Sequence, residues 1–163
     1  LWEIIAVNDE YRETSKSFAA FKKTIQTVRL TKACKSGNLK LAEKLIKHGV
    51  VDYISMDIKY PEGDYLTFTG EDALNSVKQS IDIIMNSGID YEFRTTVVKE
   101  YHSIEDTKSI LSYIKSDSTY YIQNFNNNDQ VLNRKLNKIQ EEDLKNMKRD
   151  LETKYQNIHF RDV

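Results

Sequence analysis

Cysteine is almost absent from this sequence, which has one, Cys34, among its 163 residues. A single thiol cannot form an internal disulfide, and it cannot supply a site that needs several thiolates from this chain. Glycine and proline are also scarce, with 5 and 1 residues. Their scarcity argues against a glycine-rich phosphate-binding loop, a collagen-like repeat and a long flexible linker.

Long apolar runs and an excess of one charge are missing as well. No apolar run approaches the roughly 20 residues that cross a bilayer, and the N-terminal segment is too short and too acidic for a signal peptide. The sequence begins with Leu1, so we expect a processed or trimmed chain, or internal numbering. We expect a cytoplasmic protein without membrane contact. With 24 basic and 25 acidic residues, the chain is not a globally basic nucleic-acid binder, although a local basic patch is compatible with this balance.

Short β-rich runs alternate with amphipathic helical stretches along most of the chain. Strands are predicted at residues 28–32, 50–59, 91–98, 120–125 and 157–161, and helices at residues 18–28, 39–46, 74–85, 104–114 and 141–155. Gly49 and Gly88 are predicted to end helices, and Ser103 with Asp106 has the spacing of a capping box. Strands separated by single helices predict βα units and a parallel sheet with right-handed crossovers.

The predicted fold class is α/β, either a partial βα barrel or an open, mainly parallel sheet of about five strands with flanking helices. A closed eight-fold barrel usually needs about 250 residues, which this chain does not have. We expect a single domain over residues 1–163, with the βα units over residues 28–161. The first 15 residues show no interpretable pattern.

Four blocks carry a resemblance to a known superfamily when they are taken in order. They are residues 51–59 (VDYISMDIK), residues 87–98 (SGIDYEFRTTVV), His102 followed by Glu105 and Asp106, and residues 120–125 (YYIQNF). The combination resembles radical S-adenosylmethionine enzymes, and among them the anaerobic ribonucleoside-triphosphate reductase activating proteins most. The resemblance covers residues 39–161 and is specific as a combination.

The resemblance implies a partial βα barrel and a reaction that depends on a CxxxCxxC loop. In that superfamily three thiolates hold a [4Fe–4S] cluster, and S-adenosylmethionine is cleaved to a 5′-deoxyadenosyl radical. In the activating proteins this radical abstracts hydrogen from a glycine of the partner reductase. The present sequence has neither three cysteines nor the Gly-Gly-Glu motif that holds the methionine amino group. We therefore expect only the C-terminal half of the barrel. We also expect no cofactor in this chain unless a missing N-terminal half supplies the S-adenosylmethionine and [4Fe–4S] sites.

Four polar residues near two strand ends match an ancestral S-adenosylmethionine site of the superfamily. They are Asp57, Lys59, Arg94 and Thr96, and ligands of α/β proteins bind at the carboxyl ends of parallel strands. The alternatives are a strand end that emerges into solvent and a structural Arg94–Asp57 pair. Gln123 could also face the barrel interior. His102 is expected to be a solvent-exposed loop residue, with a proton carrier as the alternative.

Two further sets of residues are candidates for partner binding. Tyr60, Tyr65 and Phe68 are predicted in a loop, where they would anchor a partner or cover the open sheet. Arg134, Lys135 and Lys138 fall in a basic stretch that could contact RNA phosphates or an acidic protein.

Our leading functional hypothesis is a catalytically incomplete radical-S-adenosylmethionine-like protein. It would act by binding a protein or ribonucleoprotein partner, for example as an inhibitor or regulator encoded by a mobile element. The alternative is a fragment or subunit of a glycyl-radical-enzyme activase that binds S-adenosylmethionine, and a third is a decayed gene product. An open sheet edge would also allow homo-oligomers.

Overall fold

The computed structural model describes residues 3–7, 39–49, 51–69, 74–115, 117–129 and 131–161. Its strands are β1 (Glu3–Val7), β2 (Tyr53–Asp57), β3 (Asp90–Val97), β4 (Tyr120–Asn124) and β5 (Ile158–Arg161). Its helices are α1 (Leu39–Lys47), α2 (Asp64–Thr69), α3 (Leu74–Met85), α4 (Ile104–Leu111) and α5 (Glu141–Glu152). The helix predicted at 18–28 and the strand predicted at 28–32 lie outside the described residues.

The strands form one open sheet in the order β1-β2-β3-β4-β5. Strands β2 to β5 are parallel, and β1 pairs with β2 in the antiparallel direction. The predicted α/β class with a mainly parallel, open sheet is confirmed. Strand β1 was not predicted and lies in the segment that showed no interpretable pattern.

The five helices that the structure describes pack on one face of this sheet. The order of the parallel strands follows the chain without reversal, and right-handed crossovers then carry α2 to α5, which connect these strands, over the same face. Buried residues from each of the five helices join buried strand residues in one hydrophobic cluster. The helix members of this cluster are Ala42, Leu45, Ile46, Tyr65, Val77, Ile81, Ile84, Ile110, Leu111, Leu144, Met147 and Leu151.

Alternation along the strands gives the sheet two different faces. The apolar face, which packs on the helices, carries Ile54, Met56, Phe93, Thr95, Val97, Tyr120, Ile122, Ile158 and Phe160. The opposite face, called the polar face here, carries Tyr53, Ser55, Asp57, Glu92, Arg94, Thr96, Tyr121, Gln123, His159 and Arg161.

A chain of hydroxyl groups satisfies the buried polar atoms of the apolar face. The Tyr120 hydroxyl donates to Thr95 Oγ1 at 2.5 Å, and the Thr95 hydroxyl donates to the Ile58 carbonyl at 2.6 Å. All three residues are fully buried. A buried polar group without a partner is costly. These two hydrogen bonds therefore fix how β4, β3 and the end of β2 lie against one another.

The predicted helix ends are confirmed. Gly49 follows α1 with φ 63° and Gly88 follows α3 with φ 71°, a backbone region that costs other residues more than glycine. Ser103 caps α4 in a complete capping box with Asp106. These signals are local in the sequence, which is why they could be read from it.

Candidate ligand-binding face

An ion-pair cluster lies at the carboxyl end of β2 on the polar face. Asp57 and Arg94 are Cα partners on neighbouring strands, and Arg94 Nε donates to Asp57 Oδ1. The Lys59 ammonium group contacts the other carboxylate oxygen, Oδ2, at 2.5 Å. The Asp57 side chain is 9% exposed, whereas those of Arg94 and Lys59 are 25% and 32% exposed. The structural Arg94–Asp57 pair is therefore present, and two cations share one buried carboxylate.

Thr96 lies one step further along the same face, two residues beyond Arg94. It pairs in register with Gln123 on β4, which in turn pairs with Arg161 on β5. Three of the four residues predicted for an S-adenosylmethionine site are thus in direct contact, and Thr96 is adjacent to them along the strand. Their role towards a ligand stays a prediction.

A second polar network, centred on Glu92, was missed in the sequence. Glu92 is 6% exposed, and its carboxylate accepts hydrogen bonds from the Tyr53 hydroxyl at 2.8 Å and from Ser55 Oγ at 3.0 Å. Arg161 Nη2 approaches the same carboxylate at 3.1 Å. The signal was available, since Glu92 precedes Arg94 by two residues and therefore shares its face.

Burial and the Glu92 carboxylate both raise the pKa of the Tyr53 hydroxyl above the usual tyrosine value, and burial is the larger cause. The phenol therefore stays protonated and donates to Glu92 across the neutral pH range. Tyr53 belongs to β2 and Glu92 to β3. This bond and the Ser55–Glu92 bond link the amino-terminal part of the polar face, below the Asp57 cluster.

An aromatic and cationic surface completes the polar face on β4 and β5. The Arg161 guanidinium carbon lies 3.7 Å from the centre of the Tyr121 ring. The Tyr121 and His159 rings are 5.0 Å apart at a tilt of 33°. Arg161 therefore spans Tyr121 to reach Glu92, and it joins β5 to β3 across the intervening strand.

The expectation of an exposed His102 is wrong, because this residue is 7% exposed. Its Nδ1 accepts a hydrogen bond from the Val98 amide at 3.1 Å, and its Nε2 lies 2.8 Å from the Lys59 carbonyl. The imidazole also stacks on Tyr60, with 4° between the planes and 6.2 Å between centroids. The loops after β2 and β3 meet because parallel neighbours end side by side, which a local sequence pattern does not reveal.

The three aromatic residues predicted in a loop are placed differently by the structure. Tyr65 lies in α2, so its predicted loop placement is wrong, and its full burial in the core agrees with the alternative that it covers the sheet. Tyr60 is half-buried and packs edge-to-face against Tyr65, with centroids 5.8 Å apart. Phe68 lies in α2, and its side chain is outside the described part of the structure. Burial raises the pKa of the Tyr65 hydroxyl to about 12, so it stays protonated while accepting the Lys59 amide.

The predicted basic stretch lies on the surface. Arg134, Lys135 and Lys138 are all exposed. Arg134 pairs with Asp129 at 3.3 Å, and the neighbouring Leu132 side chain is fully exposed. These residues are accessible to a partner, and partner binding stays a prediction.

Within the residues that the structure describes, no group of three or more His, Cys, Asp or Glu side chains is arranged around a metal position. Among these same residues, no helix has the length and apolar character needed to cross a bilayer. Cys34 lies outside the described residues. The cofactor prediction therefore stays a prediction.

Comparison with known proteins gives one informative similarity. A segment of the chain is 32% identical over 92 residues to a Methanocaldococcus jannaschii protein named "putative glycyl-radical enzyme activating enzyme". The alignment covers 53% of this chain and 38% of that protein, so the chain spans well under half of its relative. This similarity supports a link to the radical S-adenosylmethionine superfamily. No family model and no solved structure matches the chain.

The strands that carry the motifs are neighbours in the fold. The strand motifs that resemble the superfamily form β2, β3 and β4, and they lie next to one another in the sheet. A sequential parallel sheet with its helices on one face has the layout of part of a βα barrel.

Proposed function

We propose that this chain forms the C-terminal part of the barrel of a radical S-adenosylmethionine activating protein, and that its polar face contributes side chains to an S-adenosylmethionine site. The observation that carries the proposal is the Asp57–Arg94–Lys59 cluster at the carboxyl end of β2, beside the parallel strand β3. Ligands in βα architectures bind at this end of the sheet. The narrower assignment to activating proteins of anaerobic ribonucleoside-triphosphate reductases rests on the motifs of β2 to β4.

The donor and acceptor groups of the cluster match the charged part of S-adenosylmethionine. This ligand carries an ammonium group, a carboxylate and ribose hydroxyls. Among the described residues, Arg94 engages only its Nε–H, so its terminal nitrogens are available to a carboxylate in bidentate geometry. Asp57 offers oxygens to an ammonium group or to hydroxyls, and the partly buried Thr96 adds a hydroxyl group on the same face.

The cluster chemistry of the superfamily does not fit these residues. A [4Fe–4S] centre of that type takes three thiolates, and the 163 residues contain one cysteine. We therefore assign no catalytic step to this chain and propose that it binds and orients the ligand. A second segment or polypeptide would have to bring the cluster ligands. Its discovery in the reading frame upstream of Leu1 would favour a fragment of a longer activating protein.

A binding measurement with two arginine variants tests the proposal. Isothermal titration of the purified chain with S-adenosylmethionine should show binding that Arg94→Gln weakens about ten- to a hundredfold, the range of a charge-assisted hydrogen bond. Arg134→Gln is the matched control, because Arg134 is exposed and lies in the loop before α5. Equal dissociation constants for wild type and Arg94→Gln would contradict the proposal.

The leading hypothesis from the sequence concerned a partner-binding inhibitor or regulator. It stays a prediction, and the exposed basic stretch with Leu132 is where we expect such a partner. Co-purification of the chain from its native host with and without Arg134→Ala and Lys135→Ala would test it. Recovery of the same partner with the wild-type chain and with the substituted chain would exclude this surface as the binding site.

A further inference from the structure

We infer that His102 is a positioning residue for the ion-pair cluster of the polar face, acting through the backbone of Lys59. This inference deepens the proposed function and rests on it for its link to S-adenosylmethionine. The geometric part concerns His102 and Lys59 alone and can be tested without any ligand.

The hydrogen bonds of His102 fix its tautomer. The Val98 amide can only donate, so Nδ1, at 3.1 Å, must accept and carries no proton. The Lys59 carbonyl can only accept, so Nε2, at 2.8 Å, must carry the proton and donate. One neutral imidazole therefore joins the loop after β3 to the loop after β2.

Three contacts fix Lys59, and His102 supplies one of them. Its amide donates to the Tyr65 hydroxyl at 3.3 Å, its carbonyl accepts from His102, and its ammonium group contacts Asp57 at 2.5 Å. The stacking of Tyr60 on His102 also holds the residue that follows Lys59. Because the Lys59 backbone is fixed at both its amide and its carbonyl, the side chain loses less conformational entropy when its ammonium group binds a carboxylate. Within the described residues, His102 reaches the cluster through the backbone carbonyl of Lys59 and not through a charged side chain.

Two substitutions separate the proposed bridge from local support of the loop. The asparagine oxygen of His102→Asn can replace Nδ1 as the acceptor for Val98, but its side chain is too short to bridge to Lys59. The longer side chain of His102→Gln can replace Nε2 as the donor to Lys59, but it places no acceptor at Val98. If His102 only stabilised its own loop, His102→Asn would be the milder change. If it positions Lys59, His102→Gln is the milder change.

The first measurement uses the ligand-free chain. In nitrogen–proton correlation spectra, the backbone amide and side-chain ammonium signals of Lys59 should move in His102→Asn and stay near their wild-type positions in His102→Gln. His48→Asn is the control, because His48 is exposed and its Nδ1 contacts only the Lys44 carbonyl. Unchanged Lys59 signals in His102→Asn, or larger changes in His102→Gln, would overturn the inference.

The second measurement is the dissociation constant for S-adenosylmethionine. We expect His102→Asn to raise it about tenfold, which corresponds to one hydrogen bond, and His102→Gln to change it less than about twofold. If the wild-type chain does not bind the ligand, the proposed function fails while the Lys59 signals still decide the role of His102. If the ligand binds equally well to all variants, the positioning role towards the ligand is overturned.

Discussion

Arg94 donates a hydrogen bond through Nε to the Asp57 carboxylate, and the two residues are Cα partners on the adjacent parallel strands β3 and β2. Lys59 shares the same carboxylate. The cluster therefore holds two cations around one anion, and removal of the anion leaves the two cations to repel each other. Because one anion faces two cations, we expect substitution of Asp57 to destabilise the cluster more than substitution of Arg94 or Lys59.

Asp57→Asn should lower the free energy of unfolding by about 1–3 kcal/mol, because it keeps the shape of the side chain and removes its charge. Lys59→Met should cost less, since the Asp57–Arg94 pair remains and Lys59 is partly exposed. Urea unfolding of the two variants checks the order. A larger loss in Lys59→Met than in Asp57→Asn would contradict the shared-carboxylate arrangement.

The buried hydroxyl chain on the apolar face gives a second prediction. Thr95→Val leaves the Tyr120 hydroxyl and the Ile58 carbonyl without partners, and it should lower the free energy of unfolding by about 1–3 kcal/mol. Tyr120→Phe leaves the bond from Thr95 to Ile58 in place. It should therefore lower the free energy of unfolding by only about 1 kcal/mol, the lower end of that range. Chemical unfolding of both variants measures the difference. Equal losses of unfolding free energy would contradict the two consecutive hydrogen bonds from Tyr120 to Thr95 and from Thr95 to Ile58.

The Tyr53–Glu92 bond predicts a pH effect. The raised pKa of Tyr53 means that the folded protein disfavours the phenolate. Its contribution to stability is therefore complete below the ordinary tyrosine pKa of about 10 and is lost as the pH rises through the folded value. Glu92→Gln should lower the pKa of Tyr53 only in part, because burial is the larger cause. A carbon NMR titration of the Tyr53 ring measures this, and an unchanged pKa in Glu92→Gln would refute the contact.

The glycines offer a matched set for backbone strain. Gly88→Ala and Gly49→Ala should each destabilise the protein by about 1 kcal/mol, because both positions have positive φ although a methyl group would meet no atom within 4 Å. Gly63→Ala has the same open space without the positive φ and should be neutral or stabilising by up to about 1 kcal/mol. Thermal melting of the three variants checks this, and similar shifts in all three would contradict the strain.

Much of the fold could be predicted because its signals are local. The alternation in residues 91–98, the glycines that end α1 and α3 and the capping box of Ser103 each depend on a few neighbouring residues. The sheet order follows from the βα rule once the strands are known. Strand β1 was not predicted, because the first 15 residues show no helix cap, turn glycine or alternation as clear as those of the βα units.

The candidate site could be predicted only in part for a related reason. Asp57 was found because it lies near the end of a strand motif, and Arg94 because an arginine within the next strand motif needs a carboxylate partner. Glu92 was missed although it shares their alternation, since a glutamate in a strand is usually read as a solvent-facing residue. His102, in the loop after β3, bonds to the Lys59 carbonyl 43 residues earlier in the chain. Tyr65, in α2, accepts the Lys59 amide from the other side. Such meetings depend on the packed sheet.

The most direct test of the central claim is a titration of the isotope-labelled chain with S-adenosylmethionine, followed residue by residue in nitrogen–proton correlation spectra. We predict saturable shifts at Asp57, Arg94 and Thr96 on the polar face, with little change at Phe93 and Ile122 on the apolar face. No saturable shift on the polar face, or shifts confined to the exposed stretch around Arg134, would contradict the claim.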